Sequence, residues 1–163
     1  MTKLCHLYQK VCLVILTMCA IIFALPLLFG YSCYAIESES MEPTLSKGML
    51  IYVRPVKNNE FMLNDIITFE HLGNLYSHRV VGIDNNQHLL TTKGDGNRFN
   101  DGIKVSIGNI KGKVQFSIPW AGYLLIYMKT VEGIILGSLI VSLFIISIMI
   151  STIGDGDRED ENN

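Results

Sequence analysis

The sequence predicts a mainly β domain, a small bent sheet or open barrel, held between two transmembrane helices. Three observations carry this. Uncharged apolar runs occupy residues 11–30 and 133–153. Between them lie short segments rich in Val, Ile, Tyr and Phe, partly alternating and separated by polar turns. Mean hydropathy is +0.34, and the two ends account for the apolar excess.

The first run, VCLVILTMCAIIFALPLLFG, carries no charge. At about 1.5 Å per helical residue it spans roughly 30 Å, the hydrocarbon thickness of a bilayer. Pro26 falls near its outer end, where a kink is tolerated. Residues 1–10 hold Lys3, His6 and Lys10. Positive flanks favour the cytoplasmic side, so the N-terminus is expected inside and residues 31–120 outside. A cleaved signal peptide is the competing reading, and Cys33-Tyr34-Ala35 resembles a small-x-small site. The apolar run, however, is longer than a usual h-region of about 7–15 residues.

The second run, GIILGSLIVSLFIISIMISTI, is also long enough to span and returns the chain to the cytoplasm. Residues 154–163, ending DGDREDENN, are expected as an acidic disordered tail. Ahead of this run, IPWAGYLLIYMK brings Trp120, Tyr123 and Tyr127 together. Aromatics of this kind sit at headgroup level, so residues 121–132 are expected to lie along the interface. Trp120 fits the core of the β domain almost as readily.

The strands of the middle domain are MLIYVRPV, DIITFEH, LYSHRVVGID, HLLTTKGD and IKGKVQFSI. Polar stretches such as KNNEFMLN, Asn85-Asn86 and GDGNRFNDG divide them. The net charge of −2, without a basic stripe, gives no case for nucleic acid. Of the cysteines, Cys5, Cys12 and Cys19 precede or lie in the first run. Cys33 has no partner outside, so no disulfide framework is expected. No Cys/His spacing suggests zinc, and no cofactor is expected.

Three stretches of the middle domain could carry chemistry: SESMEPT at 38–44, YSHRVV at 76–81 and KGDGNRFND at 93–101. A serine hydroxyl is a poor nucleophile until a base takes its proton. Histidine suits that task, with an unperturbed pKa of about 6.5. A carboxylate can hold the imidazole in the right tautomer and stabilise its cation. The domain supplies Ser40, His78 and either Asp95 or Asp101 in that order. Each also has a plain reading. Ser40 suits a cap, His78 a structural strand position, and the aspartates ordinary turn chemistry. His71 and His88 are rival bases placed nearer strand ends, and His6 lies on the other side of the bilayer.

Taken together, these stretches resemble the ordered boxes of the type I signal peptidases. SESMEPT is similar to the nucleophile box, whose core is S-M-x-P-T; YSHRVVGI to the next; KGDGNRFND to the G-D-x-N-x-x-x-D box. LNDIITF, with Asp65 opening a strand, also resembles a family segment, and the likeness runs over roughly residues 36–125. Most bacterial members pair the serine with a lysine where this chain has His78. The chain therefore resembles the endoplasmic-reticulum type, found in eukaryotes, archaea and some spore-forming Gram-positive bacteria. Lys47 and Lys93 do not match the family lysine.

The resemblance implies a membrane-bound serine endopeptidase that removes signal peptides from preproteins after small residues. It implies that Ser40 attacks, that His78 is the base, and that Asp101 orients His78. Asp95 would be a second acidic partner or an organiser of the loop. Ser38 would help the Ser40 N–H form an oxyanion hole. Met41 and Pro43 would shape the turn. No metal or organic cofactor is implied. The implied partners are signal peptides, the lipid bilayer and the secretion translocon. A dedicated-substrate relative or a catalytically silent scaffold of the same fold are the alternatives.

Overall fold

The computed structural model describes residues 2–56 and 60–160. The chain forms two compact units: Pro26–Ile126, and a second built from both chain ends, up to Leu25 and from Tyr127 onward.

The second unit is helical. Helix α1 covers Thr2–Cys19 and a π-helical turn follows at Ala20–Ala24; α2, Leu25–Leu28, continues from it into the residues of the other unit, which begin at Pro26. The widened turn has a cause in the sequence. Pro26 has no N–H to donate, and its ring crowds the carbonyl of the preceding turn. A π-turn just ahead of the proline makes room without breaking the helix. Helix α4 runs Val131–Asp160. Its start is capped by Thr130, whose hydroxyl accepts the Gly133 N–H at 3.1 Å, with Glu132 in the first turn. The stretches His6–Leu28 and Val131–Met149 are long and apolar enough to cross a membrane. Side chains tie α1 to α4: Gln9 Nε2 donates to the Ser147 carbonyl at 3.1 Å, and the Tyr8 hydroxyl to that of Ile140 at 3.4 Å.

The acidic end departs from expectation. Residues 154–160 continue α4 as helix, where a disordered tail was expected. A helix already propagating needs no new nucleus, which offsets the poor helix propensity of the Gly and Asp residues at 154–157. Residues 161–163 lie outside the described residues, as do residues 57–59 of the polar stretch before β3.

The other unit is one open, seven-stranded antiparallel sheet in the order β1-β2-β7-β3-β4-β5-β6. The strands are β1 Ser32–Ala35, β2 Leu50–Arg54, β3 Ile66–His71, β4 Asn74–Asp84, β5 Leu89–Lys93, β6 Lys104–Ser106 and β7 Ile110–Ile118. Register shifts at Tyr52/Val53, Thr68/Phe69 and Val80/Gly82 bend it. The mainly β, open-sheet expectation holds. Sequence patterning missed the two edge strands, β1 and β6.

Two apolar clusters support the sheet. Phe61, Ile67, Phe69, Val80, Leu90 and Val105 form one. Ile36, Met41, Leu45, Ile51 and Val53 form the other, beneath the turn that carries Ser40. After β7 comes a short helix, α3, Ala121–Tyr127. Gly122 packs against the backbone of Gly48 and Met49, an approach that any Cβ there would block. Trp120 does not join the core; it is 79% exposed.

Candidate active site

The Ser40 turn follows β1 directly. Ile36 closes it from both sides, donating to the Met49 carbonyl and accepting from the Gly48 N–H, each at 2.8 Å. Within it, Glu42 N–H bonds to the Glu39 carbonyl and Leu45 N–H to that of Met41. Met41 and Leu45 are 1% and 3% exposed, so the turn is plugged into the core by its own side chains. The Glu42–Pro43 peptide bond is cis.

His78 comes from β4. Register pairs it with Ile67, and Val80 with Thr92, so His78, Val80 and Thr92 share a face. His78 is buried, with the Phe69 ring edge-on at 6.1 Å and Tyr76 at 6.2 Å. Asp101 is returned to β5 by its own N–H, which bonds to the Thr92 carbonyl at 2.8 Å.

These elements bring three groups into line. His78 Nδ1 lies 2.6 Å from Asp101 Oδ2, and His78 Nε2 lies 3.1 Å from Ser40 Oγ. An ionised carboxylate only accepts, so Nδ1 is the donor toward Asp101. Nε2 then presents its lone pair to the Ser40 hydroxyl. Ser38 Oγ sits 3.1 Å from Ser40 Oγ. Since Ser40 has one proton to give to His78, Ser38 donates to Ser40.

Asp95 stands elsewhere. It accepts from Arg79 through two nitrogens, with Nε to Oδ1 at 2.8 Å. The Arg79 guanidinium holds the Asp95 carboxyl below the ordinary aspartate range, and Asp95 in turn raises Arg79. Arg79 also donates to the Asn64 carbonyl at 2.8 Å and reaches Thr44 Oγ1 at 3.5 Å. Asp95 thus belongs to a clamp joining the Ser40 turn, the entry to β3 and the 94–101 loop. Of its two expected roles, the structure gives it loop organisation and not a partnership with His78. Asp65 anchors the β3 entry: its carbonyl accepts Val80 N–H at 2.8 Å and its side chain pairs with Lys113 at 2.8 Å.

A backbone contact completes the arrangement. Gly96 N–H bonds to the Ser40 carbonyl at 2.9 Å. A Cβ on Gly94 would run into that same carbonyl, so the loop requires glycine for close approach rather than for backbone freedom.

The rivals fall away from this cluster. His71 ends β3 opposite Asn74, and His88 lies in the turn before β5. Lys93 is registered opposite Arg79, on the reverse side of β5 from Thr92, and Lys47 is exposed. Among the described residues, no three His, Cys, Asp or Glu side chains converge to hold a metal ion. Sequence reasoning did not single out Thr92, Thr44 or Arg79. A signal existed for Thr92: it is a polar residue in phase with buried Leu90.

No family model matches the chain. The chain is similar to Signal peptidase I W of Bacillus subtilis (strain 168). Identity is 37% over 99 residues, covering 58% of this chain and 52% of that protein. The chain therefore spans about half the length of that curated relative. The likeness supports a type I signal peptidase, and the open sheet with an apolar helix at each end agrees with that fold.

Proposed function

We propose that this chain is a membrane-bound serine endopeptidase of the Ser-His-Asp, endoplasmic-reticulum type, removing signal peptides from secretory preproteins after small residues. One observation carries the reading: the Ser40–His78–Asp101 relay, with contacts of 3.1 and 2.6 Å. Ser40 Oγ attacks the scissile carbonyl as His78 Nε2 takes its proton. The Ser40 N–H and the Ser38 hydroxyl stabilise the oxyanion; Ser38 is near enough to the attacking atom to turn toward it. Collapse breaks the peptide bond, and His78 returns the proton to the leaving amine. Water, deprotonated by the same imidazole, then releases the signal peptide from Ser40.

The preprotein lies extended beside the sheet, main chain against main chain, with small pockets for Ala-like residues at −1 and −3. Both apolar helices cross the bilayer, and the β domain faces the extracytoplasmic side. Exposed Trp120 and Tyr123 favour a domain seated at headgroup level. Enzyme and cut site are then held at one depth, and the translocon delivers the substrate.

The test is cleavage of a preprotein in detergent, with N-terminal sequencing of the product. Wild type cuts after the small residue, while Ser40→Ala and His78→Ala lose at least about 10³-fold. Undiminished cutting in both variants defeats the relay. Wild-type silence on every general preprotein, with one dedicated substrate cut, moves the reading to a specialised peptidase; silence on all moves it to a scaffold.

A further inference from the structure

Thr92 is fully buried at the end of β5. Its hydroxyl lies 2.6 Å from Asp101 Oδ2, the same oxygen that receives His78 Nδ1. The Asp101 N–H returns to the Thr92 carbonyl at 2.8 Å. Two hydrogen bonds between the same two residues, one through side chains and one through backbone, therefore fix where the loop rejoins the sheet and how the carboxylate is turned. From this geometry we infer that Thr92 is a positioning residue, whose hydroxyl holds the Asp101 carboxylate in the orientation that keeps the His78 Nε2 lone pair turned toward Ser40. The inference rests on the protease reading above.

A packing role is the rival account. Threonine suits a strand, and its methyl group fits an apolar face with Val80 and Leu90. The two accounts predict opposite rankings. Valine keeps the branched shape and removes the donor. Serine keeps the donor and removes the methyl group. For a packing residue serine is the worse replacement; for a positioning residue valine is. Thr92 touches Asp101 and not Ser40, so its loss should lower kcat and leave KM in place.

The experiment uses the full chain in detergent and a preprotein with Ala at −1 and −3. The variants are Thr92→Val, Thr92→Ser, Asp101→Asn and the Thr92→Val/Asp101→Asn double, with Ser40→Ala as the blank. Thr92→Val is expected to lower kcat about 10- to 100-fold with KM within about twofold, the loss of one bond to a charged group. Thr92→Ser should stay within about threefold of wild type, and the double variant should be no worse than Asp101→Asn alone. Wild-type kcat in Thr92→Val, a loss in serine equal to that in valine, or losses that multiply in the double variant each overturn the proposal. If Thr92→Val does not fold, Thr92→Ser decides alone: cleavage within about threefold of wild type supports positioning, and a larger loss overturns it. Cleavage that survives Ser40→Ala overturns the protease reading and the role of Thr92 with it; the Thr92 arms alone can fail without touching that reading.

Discussion

Replacing each loop aspartate by asparagine separates the two acidic residues sharply. At Asp101 the change removes the charge that faces His78 at 2.6 Å and puts an amide where only an acceptor belongs. The imidazole can then donate through Nε2, toward Ser40, which leaves the serine without a base. In a serine-protease triad this wrong tautomer costs about 10⁴ in kcat. We expect about 10³ to 10⁴ here, or about 4–5.5 kcal/mol of barrier at 1.36 kcal/mol per decade. At Asp95 the change weakens a two-point bond to Arg79 whose side chains keep 16% and 26% of their surface in water. A bond to a charged group is worth about 1.5–3 kcal/mol, and partial exposure puts this one at the low end. That loss falls on folding: Asp95→Asn should lower the unfolding midpoint and cost less than about tenfold in kcat. Preprotein cleavage with denaturant unfolding of both variants makes the comparison. Equal kcat losses, or a larger one at Asp95, would refute the division of labour.

Two further outcomes follow from the same loop. Gly94→Ala drives a methyl group into the Ser40 carbonyl, so it should destabilise by about 1–3 kcal/mol and reduce cleavage more than any exposed Gly→Ala change such as Gly102→Ala, which meets nothing. Acid should also weaken the Asp95 clamp. Because Arg79 lowers the Asp95 pKa in the fold, that contribution is fully present above the ordinary aspartate value of 3.8 and is lost as pH falls through the lower folded value. Denaturant midpoints taken from about pH 7 to about pH 3 should therefore fall more steeply for wild type than for Asp95→Asn, and parallel curves would sink the claim.

Alternation and turn chemistry made the interior strands legible. IITFEH and LYSHRVVGID carry β-branched and aromatic residues in phase, and β3 and β4 form there. SCYA and KVS have too few residues to show a period, and each is held by pairing along a sheet edge, with β2 and β5 respectively. The residue types of the site were legible too, through the boxes around Ser40, His78 and Asp101. The residues by themselves left open which acid turns toward the imidazole, and only the resemblance pointed to Asp101. That choice is made by Arg79, which engages Asp95, and by Thr92, which engages Asp101; both act across the fold. The need for glycine at 94 was equally hidden, since it arises from a carbonyl far away in sequence.

The adjacent pair His78-Arg79 explains why one strand serves both clusters. Side chains alternate along β4, so consecutive residues face opposite sides of the sheet. His78 turns to Ser40 and Asp101; Arg79 turns to Asp95, Asn64 and Thr44. A slip of one residue in the β3–β4 register would exchange them, setting a guanidinium against Ser40 and an imidazole against Asp95. The register is guarded on both sides. Val80 N–H and carbonyl are both engaged, by the Asp65 carbonyl and the Asn64 N–H, and the extra residue Val81 is absorbed in the bulge opposite Thr91–Thr92. A site assembled from two loops can therefore hold contacts of hydrogen-bond length because strands that cannot slide carry both: the acidic loop is lashed to β5 through Thr92 and to β4 through Arg79, and the Ser40 turn to β4 through Thr44 and to the acidic loop through Gly96.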